Sequence, residues 1–281
     1  MTERILWDEL PSALRRVVES RTGPVVASEV VATGFNCAVA LIARTRKSGP
    51  LFIKGVRTSD AAGVAGLLWE ERLSKLVGGV SPTVRHRFEA EGWMCLAFAH
   101  IDGRHVDYGP GTGDLIPLAA TLRRLGHLRA PAFPVPQLAD RLVEHLSTSE
   151  AQALRGTHLL HTDINPHNVL ISHNGPAYLV DWAMPALGPA WIDAAYTATW
   201  LMCFGQTPGD TSTWLSSIPS WQQADSPAVE AFVNGTCRQF TAHVGERDAA
   251  ASNARFQHLL DFPRALSGSH RRGGLKSPRP S

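Results

Sequence analysis

Cysteine is scarce in this chain of 281 residues, with four at positions 37, 95, 203 and 237 and no C-x-x-C spacing among them. That excludes a disulfide framework or a cysteine-ligated zinc site as the organising element, and it fits reduced thiols in a cytosolic protein. An excess of charge of one sign is missing too. The 27 basic and 25 acidic residues leave a formal net charge of +2, which gives no electrostatic case for a nucleic-acid partner. No apolar run approaches the roughly eighteen residues of a membrane span. Met1-Thr2-Glu3-Arg4 does not open a signal-peptide pattern, and there are no internal repeats. What remains is a globular composition, 44% hydrophobic and 19% charged. The length suits a two-lobed molecule with ample core and is short for two independent enzymes.

The informative segment is His161-Thr162-Asp163-Ile164-Asn165-Pro166-His167-Asn168, followed by an apolar strand, a turn and Val180-Asp181-Trp182. It reads H-x-D-x-x-x-x-N…D, the pattern of a phosphotransferase catalytic loop and its metal-binding aspartate. Phosphoryl transfer needs a carboxylate to orient or deprotonate the accepting hydroxyl, and oxygen ligands to hold Mg²⁺ against the β- and γ-phosphates. A lone His-x-Asp arises often by chance, and a lone Asp after a strand is usually a cap. The joint pattern is much harder to obtain by accident. Val169-Leu170-Ile171 and Ala177-Tyr178-Leu179-Val180 flank Asn174-Gly175, a two-residue hairpin signal. Such a turn would set Asn168 directly opposite Asp181, with Cβ atoms roughly 5 Å apart. Pro176 weakens the ladder beside the turn and leaves a wider loop open.

On these residues the chain resembles the aminoglycoside phosphotransferase-like family of small-molecule kinases, relatives of protein kinases in fold. The family pattern continues into Asp181-Trp182, Gly188-Pro189 and Asp193. The resemblance implies an α+β fold of two lobes, an antiparallel sheet lobe followed by a mainly helical one. It implies that Asp163 is the catalytic base or hydroxyl-orienting residue and that Asn168 and Asp181 bind Mg²⁺. Asp193 would accept hydrogen bonds from the catalytic-loop backbone, and His161 would be a scaffold residue of that loop. ATP is the expected nucleotide, with GTP left open.

A nucleotide-binding lobe should then lie upstream. Val30 to Ile42 reads as strand, turn, strand, with Gly34 and Asn36 at the bend; the family counterpart is a loop over the ATP phosphates. Leu51-Phe52-Ile53-Lys54 is a strand ending in a lysine able to neutralise the α- and β-phosphates. Its partner is a glutamate on the next helix. Asp60 suits the N-cap, helical spacing runs to Leu76, and Gly78-Gly79 ends it. Glu70 borders the apolar stripe of Trp69, Leu73, Leu76 and Val77, and Glu71 shares a face with Leu67 and Leu68; Glu70 is chosen as partner. Trp93 to Phe98 is an apolar strand running into Ala99-His100, which resembles the hinge that holds the adenine edge.

The expected organisation is a nucleotide-binding lobe over residues 1–99, a catalytic and substrate-binding lobe over 100–266, and a disordered Gly-, Ser-, Pro- and Arg-rich tail over 267–281. A leading amphipathic helix carries Leu10, Leu14, Val17 and Val18, and further helices are expected over 115–129, 137–146, 194–204 and 228–244. Eleven residues separate Asp181 from Asp193, too few for a protein-kinase activation segment, so a small-molecule hydroxyl is the expected acceptor. From Ala194 to Ala242 the acids are Asp210, Asp225 and Glu230, a thin lining for a polycation. An antibiotic acceptor leads, a homoserine- or choline-like metabolite is the alternative, and a nucleotide-binding pseudokinase or scaffold is the third reading. The expected setting is cytoplasmic, with a monomer or weak dimer.

Overall fold

The structure is a computed structural model, and it describes residues 4–31 and 37–264. The expected bend residues Gly34 and Asn36, and the expected tail, lie outside the described residues. An antiparallel five-stranded sheet comes first, built from β1 (Val25–Val30), β2 (Val39–Thr45), β3 (Gly49–Arg57), β4 (Val84–Ala90) and β5 (Trp93–Ala99) in the order β1-β2-β3-β5-β4. Strand alternation sorts its side chains between two helices. Leu51 and Ile53 of β3 join Leu14 and Val18 of α1 (Ser12–Thr22) in one core. Val56, with Phe52 packed alongside, joins Leu67 of α2 (Ala61–Leu73) in another. Lys54, two residues from each of these, therefore points to the α2 face. β5 lies between two strands and beneath both cores, which is why its apolar run shows no alternation and Trp93 to Phe98 is buried throughout.

The rest of the chain is mainly helical: α3 (Leu115–Leu125), α4 (Leu138–Arg141), α5 (Thr148–Ala153), α6 (Ile192–Cys203), α7 (Pro208–Ser216), α8 (Pro219–Gln222), α9 (Ser226–Val244) and α10 (Glu246–Asp261). Leu118, Leu160, Ile192, Trp221 and Phe232 belong to its single large core. Two small sheets are set into it. One orders β6 (Gly103–His105), β8 (Val169–Ser172) and β9 (Ala177–Leu179); the other pairs β7 (His158–Leu160) with β10 (Ala186–Gly188). Among the described residues, no helix is long and apolar enough to cross a membrane.

Three local expectations are corrected. The β8–β9 hairpin turns through three residues, His173-Asn174-Gly175, rather than two, so Ile171 faces Ala177 and Val169 faces Leu179. Asn168 then bonds to Val180, whose N–H donates to its carbonyl at 2.9 Å, and Asp181 lies one residue beyond. The cause is Pro176. In a two-residue turn it would have to donate to the ladder, and it has no N–H. In the wider loop its carbonyl accepts from Ser172 instead, and Gly175 takes the left-handed φ of 103° that closes it. The helix from Asp60 ends at Leu73 and not Leu76: from Ser74 the bonds tighten, with the Ser74 N–H donating to the Glu71 carbonyl and the Leu76 N–H to the Leu73 carbonyl, while the Ser74 hydroxyl accepts from the Val84 N–H at 2.7 Å. The helix expected over 137–146 breaks at Arg141. Ser147 and Glu150 form a capping box that starts α5, and the chain leaves α4 to present it.

Candidate active site

Lys54, fixed by strand alternation, meets Glu70 Oε1 at 2.7 Å and Asp181 Oδ1 at 2.7 Å. Glu70 is reached because the Asp60 carboxylate caps α2 by accepting from the Gly63 N–H and the helix then carries Glu70 to the buried side. Glu71 turns outward to Arg87 of β4, at 2.7 Å. Burial alone would pull the Lys54 pKa down, but Glu70 and Asp181 outweigh it and hold the ammonium above its ordinary value. One ammonium serving two carboxylates does not fully compensate either: burial pushes the Glu70 carboxyl up despite Lys54, and Asp181 adds to the rise.

The loop 161–168 is pinned from below. Asp193, 2% exposed at the start of α6, accepts from the N–H of His161 and of Thr162, each at 2.8 Å. Its burial raises its pKa, and those two N–H groups pull the other way. Thr162 is thereby held in a left-handed conformation, φ 69°. Both ring nitrogens of His161 are engaged, Nε2 with the Val180 carbonyl at 2.9 Å and Nδ1 with the Asp163 N–H at 3.3 Å. The ring also meets Trp182 edge-on, with centroids 4.7 Å apart. His161 is thus a buttress between the loop and the Asp181 segment.

Asp163 is half-exposed, and its carboxylate is oriented by two amides. Asn168 Nδ2 donates to Oδ2 and Asn165 Nδ2 donates to Oδ1, both at 2.8 Å. Asn168 also donates to the Asp163 carbonyl at 3.0 Å, which spends its NH₂ group and turns Oδ1 the other way. The Asn168 amide oxygen and the Asp181 carboxylate are hard oxygen donors, the type a Mg²⁺ ion takes.

A cleft of about 240 Å³ between the sheet and β8 brings together Lys54, Glu70, Phe98, His100, Asn168 and Asp181 of the predicted residues; Asp163, His161 and Asp193 are not among its lining. Ala99 also lines it, together with apolar residues in and beside the sheet such as Val31, Ala40, Ile42 and Phe52. Burial lowers the pKa of His100 below the ordinary imidazole value.

Several residues of the site carry a sequence signal that does not reveal their role, or none at all. Asn165 is one: an Asn before a Pro is a readable N-cap, and its side chain does cap the short Pro166–Asn168 turn. Tyr108, whose hydroxyl donates to the Ile164 carbonyl at 3.2 Å, gave no local sign. Arg141 reaches Thr162 Oγ1 at 3.1 Å, Met184 O at 2.9 Å and Pro185 O; nothing in sequence spacing links residue 141 to 162 and 184.

Sheet lobe, helical region, connecting cleft and buttressed loop together define a phosphotransferase of protein-kinase-like fold. Residues 61–221, more than half of the chain, match the model of the phosphotransferase enzyme family (APH), and the chain belongs to that family. No curated protein matches it. Among solved structures it is similar to a thermostable mutant of aminoglycoside phosphotransferase APH(4)-Ia in ternary complex with AMP-PNP and hygromycin B (TM-score 0.58, 15% identity, 89% of this chain and 99% of that one). It is also similar to choline kinase LicA from Streptococcus pneumoniae (TM-score 0.53, 12% identity, 89% and 99%). An aminoglycoside phosphotransferase from Alicyclobacillus acidocaldarius follows (TM-score 0.52, 10% identity, 90% and 92%). At these identities the likeness is one of fold.

Proposed function

We propose that the protein transfers the γ-phosphate of ATP to a hydroxyl of a small molecule of antibiotic type, conferring resistance or self-protection from the cytoplasm. The observation that carries the reading is the convergence of Lys54, Glu70, Asn168 and Asp181 on one cleft, with Asp163 hydrogen-bonded to Asn168. Residues 1–99 bind nucleotide and 100–266 hold the acceptor and the chemistry. The apolar wall at Phe98 and the chain at His100 receive the base, the bend at Gly34 and Asn36 covers the phosphates, and Lys54, steadied by Glu70, neutralises their charge. Asn168 and Asp181 hold Mg²⁺, which when bound offsets charge on the β- and γ-phosphates. Asp163 accepts the proton of the acceptor O–H. That oxygen then bonds to the γ-phosphorus, the bond to the β-phosphate oxygen breaks, and ADP leaves with the electron pair. His161 and Asp193 keep the loop in shape for that step.

The test is acceptor-stimulated ADP release by the purified protein with MgATP, over a panel of aminoglycosides, macrolides, peptide antibiotics and small amino alcohols. Asp163→Asn, which keeps shape and removes the base, should lower kcat by roughly 10²–10⁴-fold while MgATP binding persists. Full activity in that variant would refute the assignment. A metabolite acceptor is the second reading, favoured by the likeness to a choline kinase; it predicts stimulation by choline or homoserine and by no antibiotic. GTP in place of ATP is tested in the same assay.

A further inference from the structure

Besides Lys54 and Arg104, the cations lining the cleft include Arg4, which reaches it from the N-terminal segment. Arg4 Nη1 donates to the Cys37 carbonyl and, at 3.1 Å, to Cys37 Sγ, and the Ile5 N–H donates to the Ala38 carbonyl at 3.1 Å. These bonds tie the segment to the start of β2. Strand register then gives its distance from the base end. Ile42, Phe52 and Phe98 form one row across β2, β3 and β5, and Ala40, Lys54 and Leu96 form the next, two residues on. Two residues of strand span roughly 7 Å. Cys37 precedes Ala40 and shares a buried cluster with Val56, two residues past Lys54. Arg4 is therefore held beyond the lysine row, on the side away from Phe98. Burial raises the Cys37 thiol pKa, Lys54 and Arg4 pull it down, and Asp181 adds to the rise, so all three charges act at this end. Arg104 is placed otherwise: it follows the chain past His100 and is forked with Asp114 at 2.5 and 2.8 Å. Lys54 is shared by Glu70 and Asp181, a trio of net negative charge. A polyphosphate laid against that trio calls for a further cation.

Resting on the phosphotransferase reading, we infer that Arg4 binds the terminal phosphate of the nucleotide and makes the site prefer a triphosphate to a diphosphate. With the base at Phe98 and the inner phosphates at Lys54, the terminal phosphate falls at the Cys37 end. A guanidinium there takes two of its oxygens in charge-assisted bonds. Transfer of that group to the acceptor removes the partner of Arg4, so ADP is held more weakly than ATP and its release is eased.

The experiment is calorimetric titration of the full chain, wild type and Arg4→Gln, with the magnesium complexes of AMP-PNP, ADP and AMP. The wild type should bind AMP-PNP more tightly than ADP. Arg4→Gln should weaken AMP-PNP by about tenfold or more, the worth of a hydrogen bond to a charged group, and leave AMP within about threefold. Retained AMP binding also shows that the variant folds. Equal affinity of the wild type for AMP-PNP and ADP, or an unchanged ratio of the two in Arg4→Gln, would overturn the inference. So would the same loss for all three nucleotides, which would make Arg4 a prop for Cys37. These outcomes leave the phosphotransferase reading standing, because the nucleotides still bind. Binding of none of the three by the wild type sinks that reading, and the inference with it.

Discussion

Lys54 is the residue on which most of the site depends, because its single ammonium is shared by two carboxylates with side chains 5% and 18% exposed. Removing it leaves both without a cation in a poorly solvated place. Lys54→Met should therefore cost about 3 kcal/mol of unfolding free energy in urea titrations and raise the nucleotide KM. Adding Glu70→Gln to that variant should recover part of the lost stability but none of the affinity. The lysine was legible as the end of an apolar strand run. The sequence offered Glu70 or Glu71 as its partner, with Glu70 chosen on likeness to the family; the structure pairs Lys54 with Glu70 and Glu71 with Arg87. The bond from Lys54 to Asp181 was not legible, as 127 residues separate the partners and no periodicity spans them. Asn165 and Arg141 show the same limit in two degrees. The first was readable as a cap but not as the orienter of Asp163, and the second was not readable at all.

Among the elements, α5 is short and held by its ends. Glu150 closes the capping box with Ser147 and pairs with Arg238 of α9 at 2.7 Å. Arg238, with the Ser147 N–H behind it, pulls the Glu150 carboxyl down to about 2. A carboxylate depressed in the folded state contributes stability above its unfolded pKa of 4.5 and loses it as pH falls toward 2. Glu150→Gln keeps the capping reach and loses the charge. It should cost about 0.5–1 kcal/mol at pH 7, discounted because Arg238 is half-exposed, and the difference from wild type should vanish in thermal melts near pH 2. Elements defined by a strong local signal were read well. β5 was recognised by its apolar run, α9 by its spacing, and the β8–β9 hairpin by Asn174-Gly175. Its register was off by one because the turn rule competed with the missing N–H of Pro176, and the proline won. α10 has an apolar face narrow enough to pass for a solvated segment, with Ala249, Phe256 and Leu259 as its buried residues. It is a helix because it packs on α9 and α6.

For the whole molecule, the sheet lobe and the helical region were legible from the order of motifs. The small β7–β10 sheet was not, since its strands are three residues each and 25 residues apart. The cleft draws walls from both regions, so a nucleotide seated there contacts the two at once and must stabilise the chain as a unit. MgATP at a hundredfold excess over its Kd should add about 2.7 kcal/mol, read as a rise in Tm of several degrees. With Asp181→Asn the rise should shrink toward that given by ATP without divalent ion.

Asp181 adopts a left-handed backbone, φ 67°, a conformation that costs a residue with a Cβ about 1–2 kcal/mol and glycine almost nothing. Its carboxylate also crowds Glu70 around the one ammonium. Asp181→Gly removes both penalties and, with them, the 2.7 Å ion pair to Lys54, so its melting temperature should stay close to the parent's while turnover is lost. Stability therefore gives little reason to keep an aspartate at this position. Its retention in a lineage would report selection for the chemistry and not for the fold.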